Sequence, residues 1–300
     1  MPRYCIVIPS YCAEATIVAA VNSAINQNYK DYSVVVSDNY SQDDTIRLLS
    51  QIESKKVKVI ENTTYIDKSD NWNRAYSQSD DCEYLINLHS DDILSPDVLN
   101  HVDSLRSSQP VLIHGNNTSI NFSNTIKNKK VNWPFPYLLN KDNQKELLLL
   151  GNSVGIVGTA IKRDSFDLLG GWSTKYTFYQ DVELWYELSD IGDCIYSPAN
   201  FGYYRRAKVC NPEKYILETL TWYQDKIQAG LNPKLRKSAI NSILQFTKKV
   251  LENRIDLSSN TLSEINSVRQ EYSNNNSYLF GISAHRNLIK LKGVRAGVLR

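Results

Sequence analysis

Chemistry is most concentrated at His89-Ser90-Asp91-Asp92, directly after the apolar run Tyr84-Leu-Ile-Asn-Leu88. An imidazole and two adjacent carboxylates at the end of a buried strand are costly unless a cation or hydrogen-bond donors compensate them, because like charges in low dielectric disfavour ionisation. The carboxylate oxygens of Asp91 suit Mg²⁺ or Mn²⁺, whose octahedral shell phosphate oxygens and water would complete. His89 as a second ligand would tilt the preference toward Mn²⁺, since nitrogen donors suit transition metals. A histidine hydrogen-bonded within the rim is the other reading, and Asp92 reads equally as a turn acid ahead of a helix capped by Ser95.

Three further segments follow the same logic: Pro9 to Glu14, Asp38 to Thr45, and Asn71-Trp72-Asn73-Arg74. The elements that must hold them are readable. Short apolar runs (YCIVI, SVVVS, VKVIE, YLINL, VLIHG) alternate with pieces of helical period from Tyr4 to about His114, which predicts a mostly parallel sheet covered on both faces. In such sheets ligands bind beyond the carboxyl ends of the strands, so all four segments are expected on one rim. Ser41, three residues before Asp44, and Ser95-Pro96-Asp97 read as helix starts. Residues 115–150, rich in Asn and Lys, read as an irregular excursion; 151–163 as a glycine-punctuated strand; Asp181 to Leu188 as a helix; and 211–300 as a helical C-terminal region.

Composition narrows the class. The chain has 300 residues, 42% hydrophobic and 22% charged, with net charge +2, ordinary for a globular protein with a substantial core. Its five cysteines form no C-x-x-C pair, which argues against a disulfide framework and against structural zinc. The opening MPRYCIVIPSY has only five apolar residues in a row, too short for a signal peptide or membrane span, and predicts a cytoplasmic protein. Residues 1–150 carry 14 Lys+Arg against 18 Asp+Glu, and residues 151–300 carry 20 against 14. The basic, Leu/Ile/Val-interleaved end HRNLIKLKGVRAGVLR is a candidate for peripheral contact with an anionic membrane, with a solvated basic helix as the alternative. Nothing there resembles a nucleic-acid reader. Neither a P-loop, nor a G-x-S-x-G elbow, nor a G-x-G-x-x-G after the first strand is present.

The order of segments resembles the inverting nucleotide-sugar glycosyltransferases of family 2, which have the GT-A fold. IVIPSYCAE, VVVSDNYSQDDT, LHSDDILSP and GGW followed by YQDVELW stand in family order over about residues 4–206. The chain departs from the pattern at His89, where a carboxylate is usual, at Cys12 for Asn, at Trp72-Asn73 for Arg-Asn, and at Gln180, which leaves Asp181 as the only acid of its pair. The resemblance implies a Rossmann-like, mostly parallel mixed sheet flanked by helices: a GT-A domain over 1–210, nucleotide-binding in 1–114 and acceptor-binding in 115–210, then helices over 211–300.

It implies Asp181 as general base, the alternative being a first-turn acid on the helix dipole. It places Pro9, Tyr11, Glu14, Asp38, Asn73, Arg74, Ser90, Asp91 and Arg205 around the nucleotide sugar, with Tyr11 stacking on the base, Asp38 accepting from its imide and Arg205 at the pyrophosphate. Trp172 and Gln180 would meet the acceptor, and Asp91 with His89 would hold Mn²⁺ or Mg²⁺. The expected partners are a nucleotide-diphosphate sugar and a glycan or lipid-linked acceptor of surface polysaccharide (lipopolysaccharide, O-antigen or capsule). A nucleotidyltransferase and a non-catalytic nucleotide-sugar-binding relative are the alternatives.

Overall fold

The computed structural model describes residues 2–129, 136–206, 211–253 and 257–273. The first half alternates strand and helix: β1 (Tyr4–Ser10), α1 (Ile17–Ile25), β2 (Tyr32–Asp38), α2 (Thr45–Leu49), β3 (Val57–Glu61), α3 (Lys68–Ser77), β4 (Tyr84–Asn87), β5 (Ile93–Leu94) and α4 (Val98–Leu105). Then follow β6 (Leu112–Ile120), β7 (Ile126–Lys129), β8 (Tyr137–Leu139), α5 (Lys141–Leu150), β9 (Ala160–Lys162), α6 (Arg163–Leu168), α7 (Gln180–Ile191) and β10 (Cys194–Arg205). Helices α8 (Pro212–Gln228), α9 (Pro233–Glu252) and α10 (Ser259–Ser273) complete the described chain.

One sheet runs in the order β3-β2-β1-β4-β9-β6-β10-β5, with β7 beside β6 and β8 beside β10. The β3-β2-β1-β4 half is parallel, while β9 lies antiparallel to both β4 and β6. The sheet is therefore mixed, with a second parallel pair, β6 and β10, beyond β9. Every residue of β1 is buried, and its alternation feeds two cores. Tyr4, Ile6 and Ile8 face α1 and α4 through Ile17, Val21, Val98 and Val102. Cys5 and Val7 belong to the opposite core, with Trp72, Trp185, Trp222, Ile243 and Val268. That second core extends into α8 to α10, with α9 packed against α5, and each buried large aliphatic side chain contributes roughly 1.5–3 kcal/mol.

The structure corrects several local expectations. Residues 115–150 hold strands and a helix rather than an irregular excursion, except at 130–135, which lie outside the described residues. The asparagines that masked the pattern are interior connectors: Asn116 Nδ2 donates to the Pro198 carbonyl at 2.8 Å, and Asn117 Nδ2 to the Val157 carbonyl at 2.9 Å. Only Ala160–Lys162 of 151–163 is strand. Ser41 caps no helix; its hydroxyl donates to Asp38 at 2.6 Å, and α2 begins after Asp44. Helix α4 begins after Asp97, not at Ser95, whose hydroxyl accepts from Asn200 at 3.1 Å. The basic C-terminal segment lies outside the described residues.

Candidate functional site

Two clefts meet over the carboxyl ends of β1 and β4. The strand-end cleft, about 670 Å³, is bordered by Pro9, Tyr11, Tyr65, Asn71, Ser90 and Asp91 among others. The second, about 390 Å³, is bordered by Asn117, Asn152, Gly155, Gln180 and Asp181. Lys68, Trp72, His89 and Tyr204 border both, so one wall separates and joins them.

The strand-end cleft is stitched by asparagines. Asn71 Nδ2 reaches the carbonyls of Ser10 and Ser37, both at 3.3 Å, tying the ends of β1 and β2. Asn39 Nδ2 donates to the Ile66 carbonyl at 2.7 Å, and its Oδ1 accepts the Ile66 N–H at 3.1 Å, which holds the loop leading to α3. Tyr11, half exposed, meets Tyr65 edge-on at 5.1 Å. Cys12 sits at φ 44°, a left-handed conformation that asparagine adopts more readily than cysteine.

His89, Asp91 and Asp92 each offer a ligand atom, and these atoms lie within 4.8 Å of one another. The Oδ2 of Asp92 and the Nε2 of His89 are buried without a hydrogen-bond partner. Such orphaned acceptors next to a carboxylate are what a bound divalent cation would satisfy, so the donor set fits Mn²⁺ or Mg²⁺. Burial, with a smaller effect of Lys68, pushes the His89 imidazole down to about 3. It is therefore neutral near pH 7, the form that ligates metal. Burial raises Asp91, with Arg205 and Lys68 opposing; burial and then the Asp91 charge raise Asp92 well above the ordinary carboxylate range. The His89 ring packs against Trp72 at 4.6 Å.

Asp181 is the second residue of α7, and Asn152 Nδ2 donates to its Oδ2 at 3.1 Å. Burial raises its carboxyl, and the Val182 N–H, Lys68 and Asn152 pull it partly back. Beside it Gln180 is 2% exposed, and neither its Oε1 nor its Nε2 has a partner. A buried amide left open on a cleft wall is a ready recognition group.

Of the residues singled out from sequence, Pro9, Tyr11, Ser90 and Asp91 border the strand-end cleft, His89 both, and Gln180 and Asp181 the second. Glu14, Asp38, Asn73, Arg74, Trp172 and Arg205 border neither. Asp38 is buried and accepts the Ser41 N–H and hydroxyl at 2.8 and 2.6 Å; it holds a turn rather than facing a base. Glu14 accepts the Asp44 N–H at 3.0 Å, linking two loops. Arg74 lies on the exposed side of α3.

Arg205 is a brace for the rim: Nε donates to the Asp91 carbonyl and Nη1 to the Asn121 carbonyl, both at 2.6 Å, while Nη2 reaches Asn124 Oδ1 at 2.9 Å. Trp172 is 2% exposed and packs edge-on against Trp72, Tyr76 and Trp185, so it is core and no sugar platform. Asn73 holds it there: Oδ1 accepts the Trp172 N–H at 2.7 Å and Nδ2 donates to its carbonyl at 2.9 Å. A Cβ on Gly171, at φ +91°, would stand 2.5 Å from that Oδ1.

Sequence reasoning missed Lys68, Tyr65, Asn152 and Tyr204, and set Trp72 below Trp172. Lys68 opens α3, its Nζ 4.5 Å from the Trp72 ring centroid and 3.4 Å from the Thr177 carbonyl. The strand-end rule applied to β3 would have pointed to the Tyr65–Lys68 loop, whereas nothing local marks Asn152 or Tyr204.

A mixed sheet with a parallel nucleotide-type half, a carboxylate cluster at the β4 end and an acid opening a later helix define a GT-A glycosyltransferase. Residues 5–169 match the family described as Glycosyl transferase family 2. The chain belongs to that family. The Escherichia coli UDP-Glc:alpha-D-GlcNAc-diphosphoundecaprenol beta-1,3-glucosyltransferase WfgD is 27% identical over 199 residues, 66% of this chain and 73% of that one. Staphylococcus aureus TarS 1-349, solved with UDP-GlcNAc, superposes with TM-score 0.63 at 14% identity over 93% of this chain and 94% of that one. Mannosyltransferase PcManGT from Pyrobaculum calidifontis, solved with GDP-Man and Mn²⁺, gives TM-score 0.58 at 15% identity over 96% and 79%. At these identities the two structures bear on fold alone. Among the described residues no helix is long and apolar enough to cross a membrane.

Proposed function

We propose that the protein moves one sugar, with inversion at the anomeric carbon, from a nucleotide-diphosphate sugar to a hydroxyl of a glycan or lipid-linked acceptor in surface-polysaccharide assembly. One observation carries the reading: the cleft that His89 and Asp91 border, with Asp92 buried behind them, and the cleft holding Asp181 share the wall Lys68-Trp72-His89-Tyr204. A donor lying over the strand ends would present its sugar across that wall toward Asp181.

In the reaction the acceptor oxygen bonds to the anomeric carbon as the bond to the diphosphate oxygen breaks, and the electron pair leaves with the diphosphate. Asp181 takes the hydroxyl proton. Its raised carboxyl makes it a stronger base than an exposed carboxylate. Tyr11 and Tyr65, packed edge-on against each other, offer a single aromatic wall for the base. Asp91, with His89 and Asp92, would hold a divalent cation, which supplies charge neutralisation at the diphosphate when bound. Lys68 adds a fixed positive charge on the same wall, the part sequence reading gave to Arg205. Gln180 meets the acceptor.

The relative WfgD, whose name specifies a diphosphoundecaprenol-linked acceptor, supports the lipid-linked option. The reading puts the reaction on the cytoplasmic side. The test is incubation of the pure protein with UDP-, GDP- and dTDP-sugars and Mn²⁺, with and without chelator. Metal-dependent release of free nucleoside diphosphate from one donor is expected. Nucleotide binding with no turnover across the panel would contradict a transferase and favour a binding relative.

A further inference from the structure

A third cleft, about 320 Å³, opens on the far side of Asp181. It shares Asn152, Phe178 and Asp181 with the second cleft, and its outer wall comes from α8 and α9 through Tyr215, Gln245 and Phe246. The rings form a continuous array: Phe178 to Tyr215 at 5.8 Å and Tyr215 to Phe246 at 6.3 Å, both edge-on. Glu218 on α8 accepts the N–H groups of Phe178 and Tyr179. The C-terminal helices thus grip the segment that leads into Asp181 as well as walling the cleft.

A pyranose ring offers apolar C–H faces and a belt of hydroxyls. Half-buried aromatic faces with amides and a hydroxyl at their edges (Asn152, Gln245, Ser242) match that pattern, and the volume lies at the small end of ligand sites. The occupant follows from continuity. The strand-end cleft lies across the shared wall, on the donor's side, so an acceptor whose hydroxyl reaches Asp181 must continue away from it, and the third cleft begins there.

We propose that this cleft is an acceptor subsite for a second pyranose ring, the one adjoining the ring that receives the new sugar. It makes the helical C-terminal region part of acceptor selection. The inference rests on the transferase reading above.

The test is saturation-transfer NMR with a panel of octyl mono- and disaccharides on the wild type, Phe246→Ala and Gln245→Ala. In wild type the reducing-end ring of at least one disaccharide takes up saturation. In each variant that disaccharide binds about fivefold more weakly, the scale of one aromatic or amide contact. Saturation confined to the octyl chain, equal binding in wild type and both variants, or no disaccharide binding overturns the subsite. Gln245 is exposed, so its variant keeps the test intact if Phe246→Ala unfolds. Donor hydrolysis in the same samples reports on the transferase reading separately: its absence with disaccharide binding intact contradicts that reading alone.

Discussion

The two sides of the shared wall are built differently. The strand-end cleft is made mostly from the segments that follow β1 to β4, at 9–16, 39, 65–72 and 89–91, and its buried amides, Asn39 and Asn71, are bonded within the protein. Beyond the shared wall, the Asp181 side is assembled from three separate stretches, around 117–119, 152–156 and 177–181, and keeps the Gln180 amide unpartnered. In the proposed reading the first is a seat for a ligand whose diphosphate is common to many donors. The second leaves hydrogen-bonding capacity open, as a site that must distinguish one acceptor from another requires.

Four changes probe that contrast, in falling order of effect. Asp181→Asn removes the proposed base and leaves the strand-end cleft untouched, so kcat should fall by about 10²–10⁴ with unchanged nucleoside-diphosphate affinity by calorimetry; near-normal turnover would break the division. Gly171→Ala strikes the joint between the sides, adding left-handed strain and a clash with the Asn73 clamp. It should cost about 1–3 kcal/mol in denaturant unfolding, more than Ala at Gly170, where no atom lies within 4 Å of an added Cβ.

Asn152→Ala acts on Asp181 through its proton. The base is active when charged, so activity falls as pH drops through its raised pKa; the Asn152 hydrogen bond opposes that rise. Its loss lifts the pKa further, and the acid limb of the kcat profile should move to higher pH. An unmoved limb would mean another group limits it. Smallest of all, Cys12→Asn on the donor side relieves the φ 44° position and should stabilise the fold by about 0.5–1 kcal/mol in thermal unfolding.

Legibility in the sequence followed the same divide. YCIVI, SVVVS and YLINL announce buried parallel strands, and the residues after them fall on one rim because strand ends share an edge. His89 and Asp91 were readable as unusual charge at such an end, and Asp181 through the resemblance. Asp38, Arg205 and Asn73 have the right types at the right places, yet their side chains are engaged by Ser41, by the Asp91 and Asn121 carbonyls and by Trp172. Composition cannot distinguish a group that meets ligand from one that holds the loop meeting it. Trp172, expected at the acceptor, is core beside the Gly170-Gly171 turn, where both glycines have positive φ, while Trp72 borders both clefts. Asn152 and Tyr204 reach the site only through tertiary packing.

The central claim is that nucleotide occupies the strand-end side alone. Hydrogen exchange followed by mass spectrometry, with Mn²⁺ and whichever of UDP, GDP or dTDP raises the melting temperature, tests it directly. The account predicts protection at residues 9–16, 65–72 and 89–91, with 150–157 and 178–182 unchanged. Protection centred on 150–157 and 178–182, with the strand-end loops unaltered, would contradict it.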